Sequence, residues 1–221
     1  YENIFKLNPA SYIEVDTCKN SFVYEEHKYS IFTQYNENTL ALNKNDNKDT
    51  KIINDLDKLI INSVQKNLIA DVPVGCFLSG GLDSSLVTSI ASKVSEKKID
   101  TFTIGFQNKK MDESVYAKKI SDYLKTNHNE IIVKEDDVLD ILPLIGEIYD
   151  EPFSDNSFVP SFILSKFARL KVKSCLSGDG GDELFGGYRR YFNSLKINRI
   201  ASNKVFRFLS KFLSIQDIND F

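Results

Sequence analysis

The sequence predicts an α/β protein: a parallel sheet of four strands with helices on both faces and strand order 3-2-1-4, preceded by a short β-rich stretch. Three observations carry that expectation. From Lys51 onward, short apolar runs alternate with segments whose apolar residues recur at helical spacing, the pattern of strand–helix–strand units and a parallel sheet. Crossovers between such strands are right-handed, which narrows the strand order. Two glycine-rich strings, opening at Ser79 and Ser177, each follow an apolar run directly, and loops at the carboxyl ends of parallel strands line the ligand crevice.

Taken in order, residues 1–35 read as short strands. Ile4, Phe5 and Leu7 lead to Pro9, and Ser11–Val15 alternates in period two. The polar stretch 36–50, rich in Asn, reads as a linker or long loop. From Lys51, the residues Ile52, Leu56, Leu59, Ile60 and Val64 define one helical face. Val74–Leu78 is expected as the first strand of the sheet, Ser84–Ser95 as a helix, Thr101–Phe106 as the second strand and Ser114–Leu124 as a helix. Glu130–Val133 is the third strand. Asp137–Tyr149 is helical with a break or kink at Pro143. Ser161–Leu170 is a helix, Lys173–Leu176 the fourth strand, and Tyr191–Phe221 a helical tail. The expected division is 1–50 as a remnant and linker and 51–221 as the main domain.

Composition sets limits. The net charge is −3, from 28 basic and 31 acidic residues mixed along the chain, and no basic stripe points to nucleic acid. No apolar run reaches membrane-spanning length. Cys18, Cys76 and Cys175 form no C-x-x-C pair, so a zinc site is not indicated. Cys76 and Cys175 sit in apolar runs and read as buried free thiols of a cytoplasmic protein. The chain opens at Tyr1 and is expected to be a piece of something longer.

The first loop, Ser79-Gly80-Gly81-Leu82-Asp83-Ser84-Ser85, follows a strand and opens a helix. Two glycines allow a tight turn and close approach to a ligand. Exposed amides and the dipole at a helix start favour an anion, and Ser84 and Ser85 add hydroxyls. Asp83 would repel a bare phosphate, so it makes sense only with a cation between them, and Mg²⁺ takes one or two carboxylates plus phosphate oxygens. No lysine lies in the turn, so this is not a Walker A loop. The plainer alternative is an ordinary strand-to-helix connection capped by Ser or Asp.

The second loop, Ser177-Gly178-Asp179-Gly180-Gly181-Asp182-Glu183-Leu184-Phe185-Gly186-Gly187-Tyr188, places three acids among five glycines. The EF-hand spacing of acids is not met. With the first and fourth strands adjacent, Asp83 and Asp182 are expected to face each other across a bound Mg²⁺–pyrophosphate.

The first string resembles the pyrophosphate-binding loop of the N-type ATP pyrophosphatases, whose sheets have an adenine-nucleotide alpha-hydrolase-like fold. The second closely resembles the S-G-E/D-G-x-D-E-x-F-G-G-Y signature of asparagine synthetases and their relatives. Asp71–Gly75, Thr101–Phe106 with Asp112-Glu113-Ser114, and Asp150–Asp155 agree with it. The resemblance runs from about residue 51 to 195. It implies a carbon–nitrogen ligase using ATP and Mg²⁺ to amidate a carboxylate through an acyl-adenylate, with aspartate as acceptor, ammonia drawn from glutamine, and AMP and pyrophosphate released. It implies that Leu78 and Ile104 meet adenosine mainly through backbone, with Ser177 and Gly178 nearby. Ser79, Gly80, Gly81, Asp83, Ser84 and Ser85 would hold pyrophosphate, and Asp83 and Asp182 would bind Mg²⁺. Asp179 would be the catalytic acid, at a position where the best-known synthetases have Glu.

Two departures stand beside these. Only Tyr1 to about Tyr35 resembles the end of the family's glutaminase domain, with Ile4–Ala10 standing where the family reads I-x-x-L-x-P-G, and Cys18 cannot be an amino-terminal nucleophile. The family's distal catalytic lysine lies beyond Phe221, and Lys109 and Lys110 match no catalytic position. The chain is therefore expected to be C-terminally truncated and incomplete as a synthetase. Two other readings stay open: an amidotransferase acting on a sugar carboxylate in surface-polysaccharide synthesis, and a non-catalytic nucleotide-binding remnant. The expected partners are small molecules, with no nucleic acid or membrane, and the full-length protein is expected to be a homodimer. His27 and His128 read as surface residues. Asp150, Glu151 and Asp155 either line an acceptor pocket or form a solvated acidic turn.

Overall fold

The computed structural model describes residues 3–17, 23–29, 46–109, 112–149, 155 and 157–201. The chain separates into two compact units, Tyr1–Asn54 and Asp55–Phe221. In the first, β1 (Ser11–Asp16) and β2 (Val23–Lys28) form an antiparallel hairpin, Ser11 opposite Lys28 and Asp16 opposite Val23. The period-two stretch is thus a strand, but Tyr12, Ile13 and Val15 are all about half exposed. His27 stacks on Tyr12 with ring centroids 5.0 Å apart. Ile4, Phe5 and Leu7 are exposed and belong to no strand.

Helix α1 spans Asp46–Leu68. It begins five residues before the expected start at Lys51, inside the polar stretch read as linker. Those five residues include no apolar side chain in the sequence, so hydrophobic spacing could not reveal them. Residues 36–45 lie outside the described set, as do Cys18, Lys110 and Asp150–Ser154.

The second unit holds β3 (Val74–Phe77), α2 (Leu82–Val94), β4 (Asp100–Phe106), α3 (Ser114–Leu124) and β5 (Asn127–Val133). There follow α4 (Glu135–Ile141), a 3₁₀ turn at Leu142–Leu144 that contains Pro143, and α5 (Ile145–Ile148). The expected break at Pro143 is present. The unit continues with α6 (Phe158–Ala168), β6 (Ser174–Leu176), α7 (Gly181–Phe185) and α8 (Arg189–Ala201). Helix α6 starts three residues before the expected Ser161. Pro160 sits in its first turn, where a missing N–H costs nothing. The expected tail helix is described only as far as Ala201.

The sheet order is β5-β4-β3-β6, all parallel, which is the expected 3-2-1-4. After β3 the chain proceeds outward through β4 to β5, then returns to add β6 on the other side of β3. The direction reverses at β3/β6, and ligand crevices of open parallel sheets form at such a reversal. One face is covered by α1 and α2, whose Val64, Ile90 and Ala91 pack with Cys76 and Ile99. The other is covered by α6, which packs Ala168, Leu164 and Phe167 around Phe102, and Val159 and Ile163 around Val133. Gly75 makes room for the Phe102 ring: a Cβ there would stand 2.7 Å from the ring and 2.9 Å from the Asp100 carbonyl.

Cys76 and Cys175 lie on neighbouring strands, as expected, and both are free thiols. Cys76 is fully buried, but Cys175 is only partly so, because β6 is an edge strand. Their register is offset by one residue, Gly75 opposite Cys175 and Cys76 opposite Leu176. The two sulfurs therefore belong to opposite faces, in different packing clusters. Desolvation pushes the Cys76 thiol up to about 12 and that of Cys175 to about 11. His128, read as a surface residue, is in fact largely buried, with a side chain 8% exposed. It stands near the amino end of β5, hydrogen-bonded to Thr101 at the sheet edge away from the strands' carboxyl ends. Its burial lowers its pKa.

Candidate functional site

The first loop starts one residue past β3. Leu78 continues the sheet by donating its N–H to the Phe102 carbonyl at 2.9 Å, and its own carbonyl accepts from Thr103 Oγ1 at 2.6 Å. Leu78 is 1% exposed, so almost none of its side chain reaches the cleft surface. The chain then turns through Gly80 at φ +87. A side chain there would be strained, and its Cβ would lie 2.8 Å from Tyr116 Cβ and 3.0 Å from the Ala117 nitrogen. The turn is thereby pressed onto the start of α3.

Gly81 caps α2 without a side-chain hydrogen bond, so the first amides of a 13-residue helix remain for an anion. The serines brace this turn. Ser79 Oγ and Ser84 Oγ are 2.9 Å apart, Ser79 Oγ accepts from the Gly81 N–H, and Ser84 and Ser85 both donate to the Gly81 carbonyl. Their hydroxyl protons fix the loop's shape, which leaves the backbone amides at the start of α2 as the candidate donors to an anion.

The second loop is anchored differently. Ser177 Oγ donates to Asp179 at 2.9 Å and accepts the Asp179 N–H, holding that carboxylate near the strand end. Gly180 at φ +88 turns the chain into α7, and Gly186 at φ +69 ends it. Tyr188 donates its hydroxyl to Glu183 at 2.7 Å. That bond holds the Glu183 carboxyl below its usual range and raises the Tyr188 phenol to about 12. Arg190 stacks over the Tyr188 ring at 4.1 Å.

The loops meet at Asp83. A Cβ on Gly178 would stand 2.6 Å from the Ser84 nitrogen and 3.0 Å from Asp83, and one on Gly181 would stand 2.5 Å from the Asp83 carboxyl carbon. Gly178 lets the acidic loop lie against the backbone at the start of α2, and Gly181 leaves room for the Asp83 carboxylate. The result is one cleft of about 850 Å³ at the carboxyl ends of the strands, lined by both loops.

Ten of the twelve expected site residues line that cleft. Leu78, Ser79, Gly81, Asp83, Ser84 and Ile104 come from the β3 and β4 side, and Ser177, Gly178, Asp179 and Asp182 from the β6 side. Gly80 and Ser85 do not: Gly80 packs on α3 and Ser85 braces the turn. Sequence reasoning missed Phe106 at the end of β4 and Glu113 in the loop after it, and Ser161, Leu164 and Ser165 of α6. The available signal for α6 was a pair of serines four residues apart on an otherwise apolar helix, which places both on one face. Asp155 lies outside the cleft, and its carboxyl is held low by the Ser157 N–H, consistent with a solvated turn.

Among the described residues, the cleft is lined by Asp83, Glu113, Asp179 and Asp182 and by no Lys, Arg or His. No cluster of three potential protein ligands for a metal occurs among them. Two carboxylates on facing loops, with phosphate oxygens completing the shell, is the donor set Mg²⁺ takes, so the residues fit that ion.

Comparisons with known proteins agree with these strings. The profile of the asparagine synthase family matches residues 55–217. An asparagine synthetase homologue of Methanocaldococcus jannaschii is 38% identical over 216 residues, covering 97% of this chain and 39% of that protein. The glutamine-hydrolysing asparagine synthetase 1 of Bacillus subtilis is 34% identical over 150 residues, 68% of this chain and 24% of that protein. The chain thus spans well under half the length of these relatives. Among solved structures, the NH₃-dependent NAD synthetase of Campylobacter jejuni aligns at TM-score 0.42 and 17% identity over 61% of this chain and 60% of that one.

Proposed function

The chain belongs to the asparagine synthase family, and from that premise we propose that its cleft binds ATP and adenylates a carboxylate, with aspartate as acceptor. Ammonia then displaces AMP to give asparagine. The observation that supports this best is the meeting of two loops at Asp83, which sets an uncapped helix start and a second carboxylate, Asp182, on one cleft.

The amides at the start of α2 face the pyrophosphate, where fixed dipoles stabilise charge as it develops. Asp83 and Asp182 would hold Mg²⁺, which offsets the charge of the departing pyrophosphate. Ile104 and Phe106 form an apolar end that packs against adenosine and excludes water from the α-phosphate. Leu78, 1% exposed, meets the nucleoside through its main chain, where its carbonyl keeps a second lone pair beside the Thr103 bond. Asp179, tethered by Ser177, is the acid that faces the acyl-adenylate and orients the incoming ammonia. Residues 51–221 serve as the ATP-pyrophosphatase domain. Residues 1–50 correspond to the end of a glutaminase domain that supplies ammonia in the complete protein.

The test is aspartate-dependent exchange of labelled pyrophosphate into ATP by the complete protein containing this chain, with asparagine formation from ammonium followed beside it. Exchange that requires aspartate is expected. Exchange driven by a sugar carboxylate and not by aspartate would move the acceptor assignment, and exchange with neither would remove the adenylation chemistry.

A further inference from the structure

We propose that Glu113 selects a ribonucleotide, accepting a hydrogen bond from a ribose hydroxyl of the nucleoside triphosphate in the cleft; this rests on the reading of the cleft as an ATP site. Three consecutive residues divide the work at the start of α3. Asp112 Oδ1 accepts from the Ser114 N–H at 3.1 Å and the Phe106 N–H at 3.4 Å, closing the loop back onto β4. Ser114 is buried, and it lies where a Cβ on Gly105 would meet it at 3.1 Å. Glu113, between them, spends only its backbone: its carbonyl accepts from the Tyr116 and Ala117 amides. It occupies the cap position of α3, yet its side chain makes no capping bond. The residue lines the cleft together with Ile104 and Phe106. Its main chain is therefore fixed by both neighbours while its carboxylate remains uncommitted to the helix.

An ionised carboxylate only accepts hydrogen bonds. The ligand offers it two kinds of surface, anionic phosphates and neutral hydroxyl donors. Asp83 and Asp182, on the facing loops, are the carboxylates placed to share a cation with phosphate. A third acid on the phosphates without a cation would repel them. Glu113 follows the second strand of the sheet, beside the apolar Ile104 and Phe106, and is matched to the sugar. An acid that follows the second strand and binds a ribose hydroxyl is a solution that parallel α/β sheets use elsewhere.

The experiment is equilibrium binding, with Mg²⁺, of ATP, 2′-deoxy-ATP, 3′-deoxy-ATP and pyrophosphate to the chain and to its Glu113→Gln and Glu113→Ala variants, with melting temperatures as the folding control. The native chain should favour ATP over at least one deoxy analogue by about tenfold, the scale of one hydrogen bond to a charged group. Glu113→Ala should bring that ratio close to one, Glu113→Gln should keep part of it, and pyrophosphate affinity should stay the same. An unchanged ratio in Glu113→Ala, or equal weakening of ATP and pyrophosphate, would overturn the assignment. Absence of ATP binding by the native chain would instead overturn the underlying ATP reading, a separate result in the same titration.

Discussion

The two loops that form the cleft are built on opposite plans. Ser79–Ser85 carries its own bracing: its hydroxyls close on Ser79, Ser84 and the Gly81 carbonyl, and it stands on a central strand. The loop after β6 leans on its neighbour. Gly178 fits only because it has no side chain where the Asp83–Ser84 backbone stands, Gly181 lies against the Asp83 carboxylate, and the loop's strand is an edge of the sheet. A self-braced loop can present an anion site before ligand arrives. A leaning loop adds its carboxylate only while the contact holds, so the second acid of the site depends on the first loop's shape.

Breaking the contact should give the largest effect. In Gly178→Ala the new Cβ meets backbone, the Ser84 nitrogen at 2.6 Å, which cannot swing aside as a flexible side chain can. ATP binding with Mg²⁺ should fall by about 100-fold or more, the roughly 2.7 kcal/mol expected when the loops part. Gly180→Ala is the control within the same loop. It meets open space and suffers only its left-handed φ of +88, a cost of about 1–2 kcal/mol. Calorimetry should therefore show a much smaller binding loss for Gly180→Ala. Equal losses would mean that the second loop does not lean on the first.

The supporting strands offer a milder probe. Both thiols are raised above the ordinary thiol value of 9.0 by burial, Cys76 to about 12 and the edge-strand Cys175 to about 11. A raised thiol pKa keeps the folded protein protonated while the unfolded chain ionises. Stability is thus full below pH 9 and is lost as pH rises toward 11–12, by up to about 1.4 kcal/mol per pH unit for the more deeply buried Cys76. Denaturant midpoints at pH 9 and 10 should fall less steeply in Cys76→Ala than in the native chain. Alkylation with peptide mapping should label Cys175 before Cys76. Labelling of Cys76 first would contradict the contrast between central and edge strand.

Much of this was legible in the sequence because the signals were redundant. Alternating apolar runs, right-handed crossovers and two glycine strings all agreed on the order β5-β4-β3-β6, and they placed Asp83 and Asp182 on one cleft. What escaped was polar structure without apolar periodicity. Residues 46–50 at the start of α1 include no apolar residue, and Pro160 hid the first turn of α6 because proline reads as a break until it is seen in a first turn. Ser161 and Ser165 were absorbed into an apolar helix, and His128 gave no sign of the Thr101 hydroxyl that holds it.

The smallest effect lies at the far end of the second loop. Removing the phenol in Tyr188→Phe deletes the hydrogen bond that keeps the Glu183 carboxyl low. The Glu183 titration midpoint, followed by NMR, should rise toward the ordinary glutamate range, with ATP affinity unchanged because Glu183 is not part of the cleft lining. A large loss of ATP affinity would show that this tyrosine–glutamate pair, and not the glycine contact, sets the loop.

The central claim is that Asp83 and Asp182, from loops of unlike construction, serve one cation beneath one nucleotide. The most direct measurement is a double-mutant cycle by calorimetry: ATP binding with and without Mg²⁺ to the native chain, Asp83→Asn, Asp182→Asn and the double variant. If both carboxylates hold the same ion, either single change should remove most of the Mg²⁺-dependent part of the affinity, and the double variant should be little worse than either. Independent, additive losses, or equal native affinity with and without Mg²⁺, would contradict the shared site.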